Sequence, residues 1–149
     1  MTPTARASDR VAILNAINPI SSSSVQNGGW VAAKDFNKFL AIVQAGALGA
    51  SATVDAKLQQ ATDSSGTGAK DISGKAITQF TKAGTDDNKQ AEINLRQDEL
   101  DIANGFTHVR LVITPATAAC LVAGLLLGLD PRQAPASDND ASTVDEIVG

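Results

Sequence analysis

SATVDAKLQQATDSSGTGAKDISGKAITQF, residues 51–80, is the stretch that decides the fold class. Ala52, Val54, Ala56 and Leu58 fall on one side of an extended chain, and Thr53, Asp55, Lys57 and Gln59 on the other. That period of two belongs to a strand with one buried face. The polar stretch TDSSGTGAKD that follows turns the chain, because Gly66 and Gly68 accept positive φ while Asp63 and Ser64 hydrogen-bond turn backbone. Ile72–Phe80 is then a returning β run, and the whole reads as a long hairpin with a polar tip.

The flanking sequence continues in the same key. Gln90–Arg96 alternates again, with Ala91, Ile93 and Leu95 against Glu92, Asn94 and Arg96. Val11–Ile20 is apolar, interrupted by Pro19 and the Ser21–Ser24 cluster, and Asn27-Gly28-Gly29 marks a hairpin or corner before Trp30. Asp35–Leu48 carries mixed spacing: Phe36, Phe39, Leu40 and Val43 fit a helix, Phe39–Val43 alone a buried strand. It is read as a short helical turn at Asp35 running into a strand. Gln97–Ala103 reads as a helical turn or connection. Asn104-Gly105 opens a last hairpin, Phe106–Thr114 with Ala118–Leu127, with Pro115 between the strands where it costs no ladder bond. Seven or so short strands predict an all-β, antiparallel β-sandwich, jelly-roll or Ig-like, with short helical turns and extended terminal arms. The division expected is an N-terminal arm over 1–10, a sandwich over 11–129 and an acidic C-terminal arm over 130–149.

Composition narrows the chemistry. A chain of 149 residues fits one domain with a sizeable core. Its single Cys120 lies in the apolar run AACLVAGLLLG and reads as a small buried core residue. The start, MTPTARASDR, lacks an apolar signal core, and the longest apolar stretch, Ala116–Leu129, is shorter than a bilayer span, so a soluble, unsecreted protein is expected. A net charge of −4 with scattered basic residues argues against nucleic acid as partner. Aromatic residues make up 3% of the chain with no Tyr, leaving little from which to build stacking surfaces for bases or sugars. The tail DPRQAPASDNDASTVDEIVG holds five acids against Arg132, a local charge equal to the −4 of the whole chain. It lacks the apolar area to fold alone, yet Val144, Ile147 and Val148 are available to dock on a neighbour.

Catalytic patterns are sparse in this chain. GAKDISGK resembles a phosphate loop, but Gly68 and Gly74 are one residue too far apart and Lys75 precedes Ala76 where a hydroxyl belongs. His108 is the sole histidine, inside FTHVRLVIT, and reads as structural. Asp86-Asp87-Asn88 and Asp138-Asn139-Asp140 lack the register of a calcium loop. Pairs such as Asp98 with Asp101, or Glu99 with Asp101, are acid/base candidates without sugar-gripping aromatics beside them. No catalytic residue, cofactor, metal or small-molecule substrate is expected. Trp30, next to a Gly-Gly turn, reads as a core or subunit-interface plug.

Four phrases together resemble a family of small proteins encoded among the head genes of tailed bacteriophages and proteobacterial prophages: Gly29-Trp30 followed by Asp35-Phe36; ATVDAKLQQATDSSGTGAKDISGKAITQ; LDIANGFTHVRLVIT; and GLDPRQAPASDND. The resemblance implies a bacteriophage virion structural protein of the capsid cement or decoration type. Such a protein would be made in the host cytoplasm and sit on the capsid exterior, with the major capsid protein and further copies of itself, as a homotrimer, for partners. No membrane or nucleic acid is expected among them. The contact residues expected are Arg6 and Arg10 in the N-terminal arm, Trp30, Asp63 and Lys70 at the 62–71 loop, and Pro135, Val144 and Ile147 in the tail. The alternatives are a head–tail connector or tail-tube subunit, or a non-virion β-sandwich binding module.

Overall fold

A computed structural model describes residues 4–149, so Met1, Thr2 and Pro3 of the expected N-terminal arm lie outside the described residues. In chain order the strands are β1 (Val11–Ser22), β2 (Gln26–Asn27), β3 (Val31–Ala32), β4 (Phe36–Leu48), β5 (Thr53–Ala61), β6 (Lys70–Ala76), β7 (Phe80–Thr81), β8 (Gln90–Arg96), β9 (His108–Ala116) and β10 (Cys120–Pro131). Sheet A has the order β1-β10-β4-β8. Sheet B centres on the β9–β5 pair, with β2 and β3 along the free side of β9 and β6 and β7 along that of β5. Every pairing is antiparallel. If β2 with β3, and β6 with β7, are each counted as one broken strand, eight strands remain, and most successive ones change sheet. That wrapping is a jelly roll rather than an Ig-like sandwich.

The alternation read at residues 52–59 is realised in β5. Ala52, Val54, Ala56 and Leu58 are at most 2% exposed, and they meet the inward side chains of β9 and sheet A in one core that also holds Phe39, Val43, Leu95, Ile113 and Leu126. β8 occupies the residues expected of it, with Ile93 and Leu95 buried and Glu92, Asn94 and Arg96 outside. Cys120 is fully buried in this core. Phe36 and Phe39 pack edge to face with ring centroids 6.3 Å apart, and Phe36 lies over Gly128, where a Cβ would be 2.7 Å from the ring.

Four local readings are corrected. The chain at Asp35 makes no helical turn into a later strand, since β4 starts at Phe36 and runs to Leu48. Its helix-like spacing arises because Phe36, at the strand end, bends inward over the side-chain-free Gly128. Pro19 does not end the first apolar run: it lies inside β1, an edge strand, within the register shift between Ile17 and Ile20, where a missing N–H is tolerated. Residues 106–127 form no hairpin. β9 and β10 belong to opposite sheets, and the turn between them, with Thr117 at φ +74°, crosses the sandwich. Pro115 is therefore within β9, opposite Val54, where β2 has already ended and no strand lies on its other side. The returning run at 72–80 is also broken: Lys57 pairs with Ala76 but Gln59 with Asp71, so extra residues around Gly74 (φ +75°) bulge out before β7 resumes pairing.

Asn27-Gly28-Gly29 is a corner in one broken strand. Gly28 donates to the Leu111 carbonyl at 2.8 Å and Gly29 to Asn15 Oδ1 at 2.9 Å, tying the rim of sheet B to β1. After β10 the tail turns back along β1. Arg132 N–H donates to the Asp35 carbonyl at 2.9 Å, Ala136 is fully buried, and Ile13 is held at both backbone groups. Its N–H donates to Asp140 Oδ1 at 2.7 Å and its carbonyl accepts from Ala141 N–H at 2.8 Å. The segment thus takes the place of a strand at the edge of sheet A.

Candidate interaction surfaces

Register fixes where the expected contact residues fall. Val11, Leu129, Lys38 and Arg96 form one row across sheet A, and Ala32, His108 and Ala61 one row across sheet B. Both rows border the same end of the sandwich, because Ala33–Asp35 links β3 directly to β4. Arg6 and Arg10 precede β1, Trp30 precedes β3, Asp63 and Lys70 bracket the β5–β6 loop, and Pro135, Val144 and Ile147 follow β10. All eight therefore gather at this one end, and sequence alone did not reveal that.

Two clusters form there. On the sheet B side, Trp30 packs so close to Gly66 that a Cβ would be 2.6 Å from the indole nitrogen, while the Arg110 guanidinium lies 4.5 Å from the indole ring centroid. Asp63 accepts from the N–H groups of Ser65 and Thr67 at 2.9 and 3.0 Å. A hydrogen bond from the Thr67 side chain, and then these backbone bonds, hold its carboxyl below the usual range. Lys70 lies 4.1 Å above the Phe106 ring and reaches Asp101 at 2.5 Å, and this bond, with Asn104, lowers the Asp101 carboxyl. On the tail side, Arg6 N–H donates to Asp9 at 2.8 Å and the Ala7–Asp9 turn lies against the Ala136–Asn139 turn. Val144 is half-buried, whereas Ile147 is 47% exposed.

Sequence reading passed over Gln60, Arg110 and the outward face of sheet A. Gln60 is a buried polar side chain, 5% exposed, whose Oε1 accepts the Asp101 N–H at 2.8 Å. It occupies the next inward position after Leu58, a polar residue where alternation demands an apolar one, and that was the available signal. Arg110 donates through Nε and Nη2 to Gln59 Oε1 at 3.0 and 2.8 Å, Gln59 donates to Asp71 at 2.8 Å, and Lys57 pairs with Asp71 at 2.9 Å. The outer face of sheet B is thus a bonded polar network. That of sheet A is apolar across its middle: Leu121, Ala123, Leu125, Leu127 and Leu129 alternate outward along β10 between Leu40 and Ile42 of β4 and Ile13 and Ala16 of β1. Two open grooves of about 420 and 360 Å³ cross it around Ala123, and neither is lined by a charged side chain.

Among the described residues no group of three or more His, Cys, Asp or Glu side chains is placed to hold a metal, and no helix is long and apolar enough to cross a membrane. His108 is half-exposed on the outer face of sheet B, with Nδ1 2.8 Å from Thr107 Oγ1 and no carboxylate in its bonds. The fold is a jelly roll whose two outer faces differ, bonded and polar on sheet B and largely apolar on sheet A.

No family model matches the chain, and no curated protein matches it. Among solved structures it is similar to a chain in the cryo-EM atomic structure of broad bean stain virus, at 11% identity over 90% of this chain and 93% of that one, with a TM-score of 0.46. It is also similar to a chain of the naturally occurring empty particles of cowpea mosaic virus, at 11% identity over 87% and 88% with a TM-score of 0.40. A chain of tobacco necrosis virus matches at 14% identity over 84% and 95%, with a TM-score of 0.36. Likenesses this distant assign no function, and the jelly roll stands on the strand order alone.

Proposed function

We propose that the protein is a bacteriophage virion structural protein, a capsid cement or decoration protein that binds the exterior of the shell and bridges capsomers. The observation that carries the proposal is the gathering of Arg6, Arg10, the 62–71 loop and the tail at one end of the sandwich. A compact body that presents its N-terminal turn, the exposed end of its docked tail and a long loop at one end engages several neighbours at once, and contacts that are weak singly add through avidity. Binding that exists only on the closed lattice stabilises that lattice by mass action. The resemblance to phage head-region proteins and the jelly-roll topology, a fold used by viral capsid domains, support the same reading. The partners proposed are the major capsid protein and two further copies of this chain around a local threefold axis.

Copy number in purified particles, measured against the major capsid protein by quantitative mass spectrometry, tests this. A large fixed fraction of the capsid copy number is expected. A handful of copies per particle would instead mean a connector or tail subunit, and absence from particles would sink the virion reading.

A further inference from the structure

A two-layer sandwich turns apolar side chains inward and polar ones to water, and sheet B does so. Sheet A does so on β8, whose outward column reads Gln90, Glu92, Asn94, Arg96, and at Lys38 and Gln44 of β4. The other three strands present apolar rows: Ile13, Leu127 and Leu40 ending at Asn94, and Ala16, Leu125 and Ile42 ending at Glu92. Leu121 is 49% exposed at one end of this panel.

We propose that this face packs against the same face of a second copy of the chain, across a twofold axis perpendicular to the strands and passing through the Ile13–Leu127–Leu40–Asn94 row. Charge selects a second copy as occupant. Rotation about that axis sets Asn94 opposite its equivalent and Glu92 opposite Arg96 of the partner subunit, and the exchange occurs twice. Among the described residues Glu92 makes no ion pair within its own chain, while Arg96, its side chain 64% exposed, is engaged through Nε with Asp98 and keeps its terminal nitrogens free. Any other register of the same faces loses one or both pairs. The contact is small: with strands about 4.8 Å apart rising about 3.4 Å per residue, the three rows that this rotation superposes, with their β8 column, cover roughly 19 by 17 Å, or about 320 Å² in projection. Two such faces together bury about 650 Å², the size of a weak, reversible contact. One self-complementary face closes a pair, whereas a ring needs two different patches. At the centre Leu127 meets Leu127 of the partner subunit, and the Leu125 row of each copy meets the Leu129 row of the other. Lys38, in the outermost row, is drawn to the rim by Asp130 at 3.0 Å.

This pairing does not rest on the virion reading, and it leaves free the arms and loop assigned to the threefold contact. With both contacts made, closure gives six copies. Sedimentation equilibrium on the purified full chain separates the cases: wild type is expected as two or six copies, and Leu127→Asp, a change at a half-exposed outward position, as one or three with an unchanged far-ultraviolet spectrum. Glu92→Arg is expected to weaken association by about tenfold or more, and Glu92→Arg combined with Arg96→Glu to restore it, because reversal of both charges re-forms the exchange. Wild type found as one or three copies at 100 μM would overturn the pairing, as would association indifferent to Leu127→Asp or a double reversal as weak as the single one.

Discussion

Asp140→Ala removes the carboxylate that accepts the Ile13 N–H at 2.7 Å, at a partly buried site on the edge of sheet A. The alanine variant leaves that donor without its partner, a loss of about 1–2 kcal/mol where some water can enter. The neighbouring bond from Ala141 N–H to the Ile13 carbonyl depends on the same segment staying in place, so the upper half of that range is expected. For a chain of 149 residues this corresponds to a fall in melting temperature of roughly 3–8 °C. Asp140→Asn keeps an oxygen of the same reach and should cost less than half as much. Calorimetry on the three proteins, with hydrogen exchange at the Ile13 amide, checks the reasoning. The amide should exchange faster in the alanine variant, while amides of β5 stay protected. A melting temperature for Asp140→Ala within about 1 °C of wild type, or equal losses for alanine and asparagine, would refute the idea that the tail acts as an edge strand.

Two further outcomes follow from the geometry. Gly28→Ala places a Cβ 2.9 Å from the Leu111 carbonyl oxygen, which the Gly28 N–H itself approaches at 2.8 Å, so the corner must shift at a cost of about 1–3 kcal/mol; a urea midpoint equal to wild type would show that the corner is loose. Acid should destabilise the protein only at low pH. Hydrogen bonds hold several carboxyls below the usual range: Asp71 by the Gln59 amide and then Lys57, Asp86 by Lys89 and then the Thr81 N–H, Asp87 by Lys82, Glu99 by the Arg96 N–H and then Lys75, and Asp63 and Asp101 as described above. Their folded values lie below the unfolded ones of about 3.9–4.3, so the stability they contribute is present above that range and lost as pH falls through the folded values. The melting temperature should be nearly flat from pH 7 to 5 and fall below about pH 4, and a steep loss between 7 and 5 would contradict this.

The sequence was most legible where the two faces of a strand differ. β5 and β8 separate core from solvent residue by residue, and both were read almost to their ends. β10 was read as a strand over 118–127 but without its two faces or its last residues, because its outward leucines erase the alternation, and CLVAGLLLGL looks like any buried run. The same cause hid the apolar face of sheet A. A chain reversal was legible between Thr114 and Ala118, a few residues before the turn that the structure shows, but whether a reversal stays within a sheet or crosses to the other is fixed by what packs opposite, so β9 and β10 were wrongly paired. The contact candidates were found singly from polar loops and arms. Their convergence on one end follows from strand order, a non-local property that no short segment carries.

That convergence has a practical side. The bend Ser23–Ser24 between β1 and β2 lies at the far end of the sandwich, beside the β4–β5 and β9–β10 turns, and Val25 next to it is 49% exposed. A foreign peptide spliced there leaves both arms and the sheet A face untouched and emerges from the pole opposite them. Where the arms of a copy hold a particle, cargo inserted at its Ser23–Ser24 bend is carried outward, which makes this bend the natural attachment point for a displayed antigen or tag.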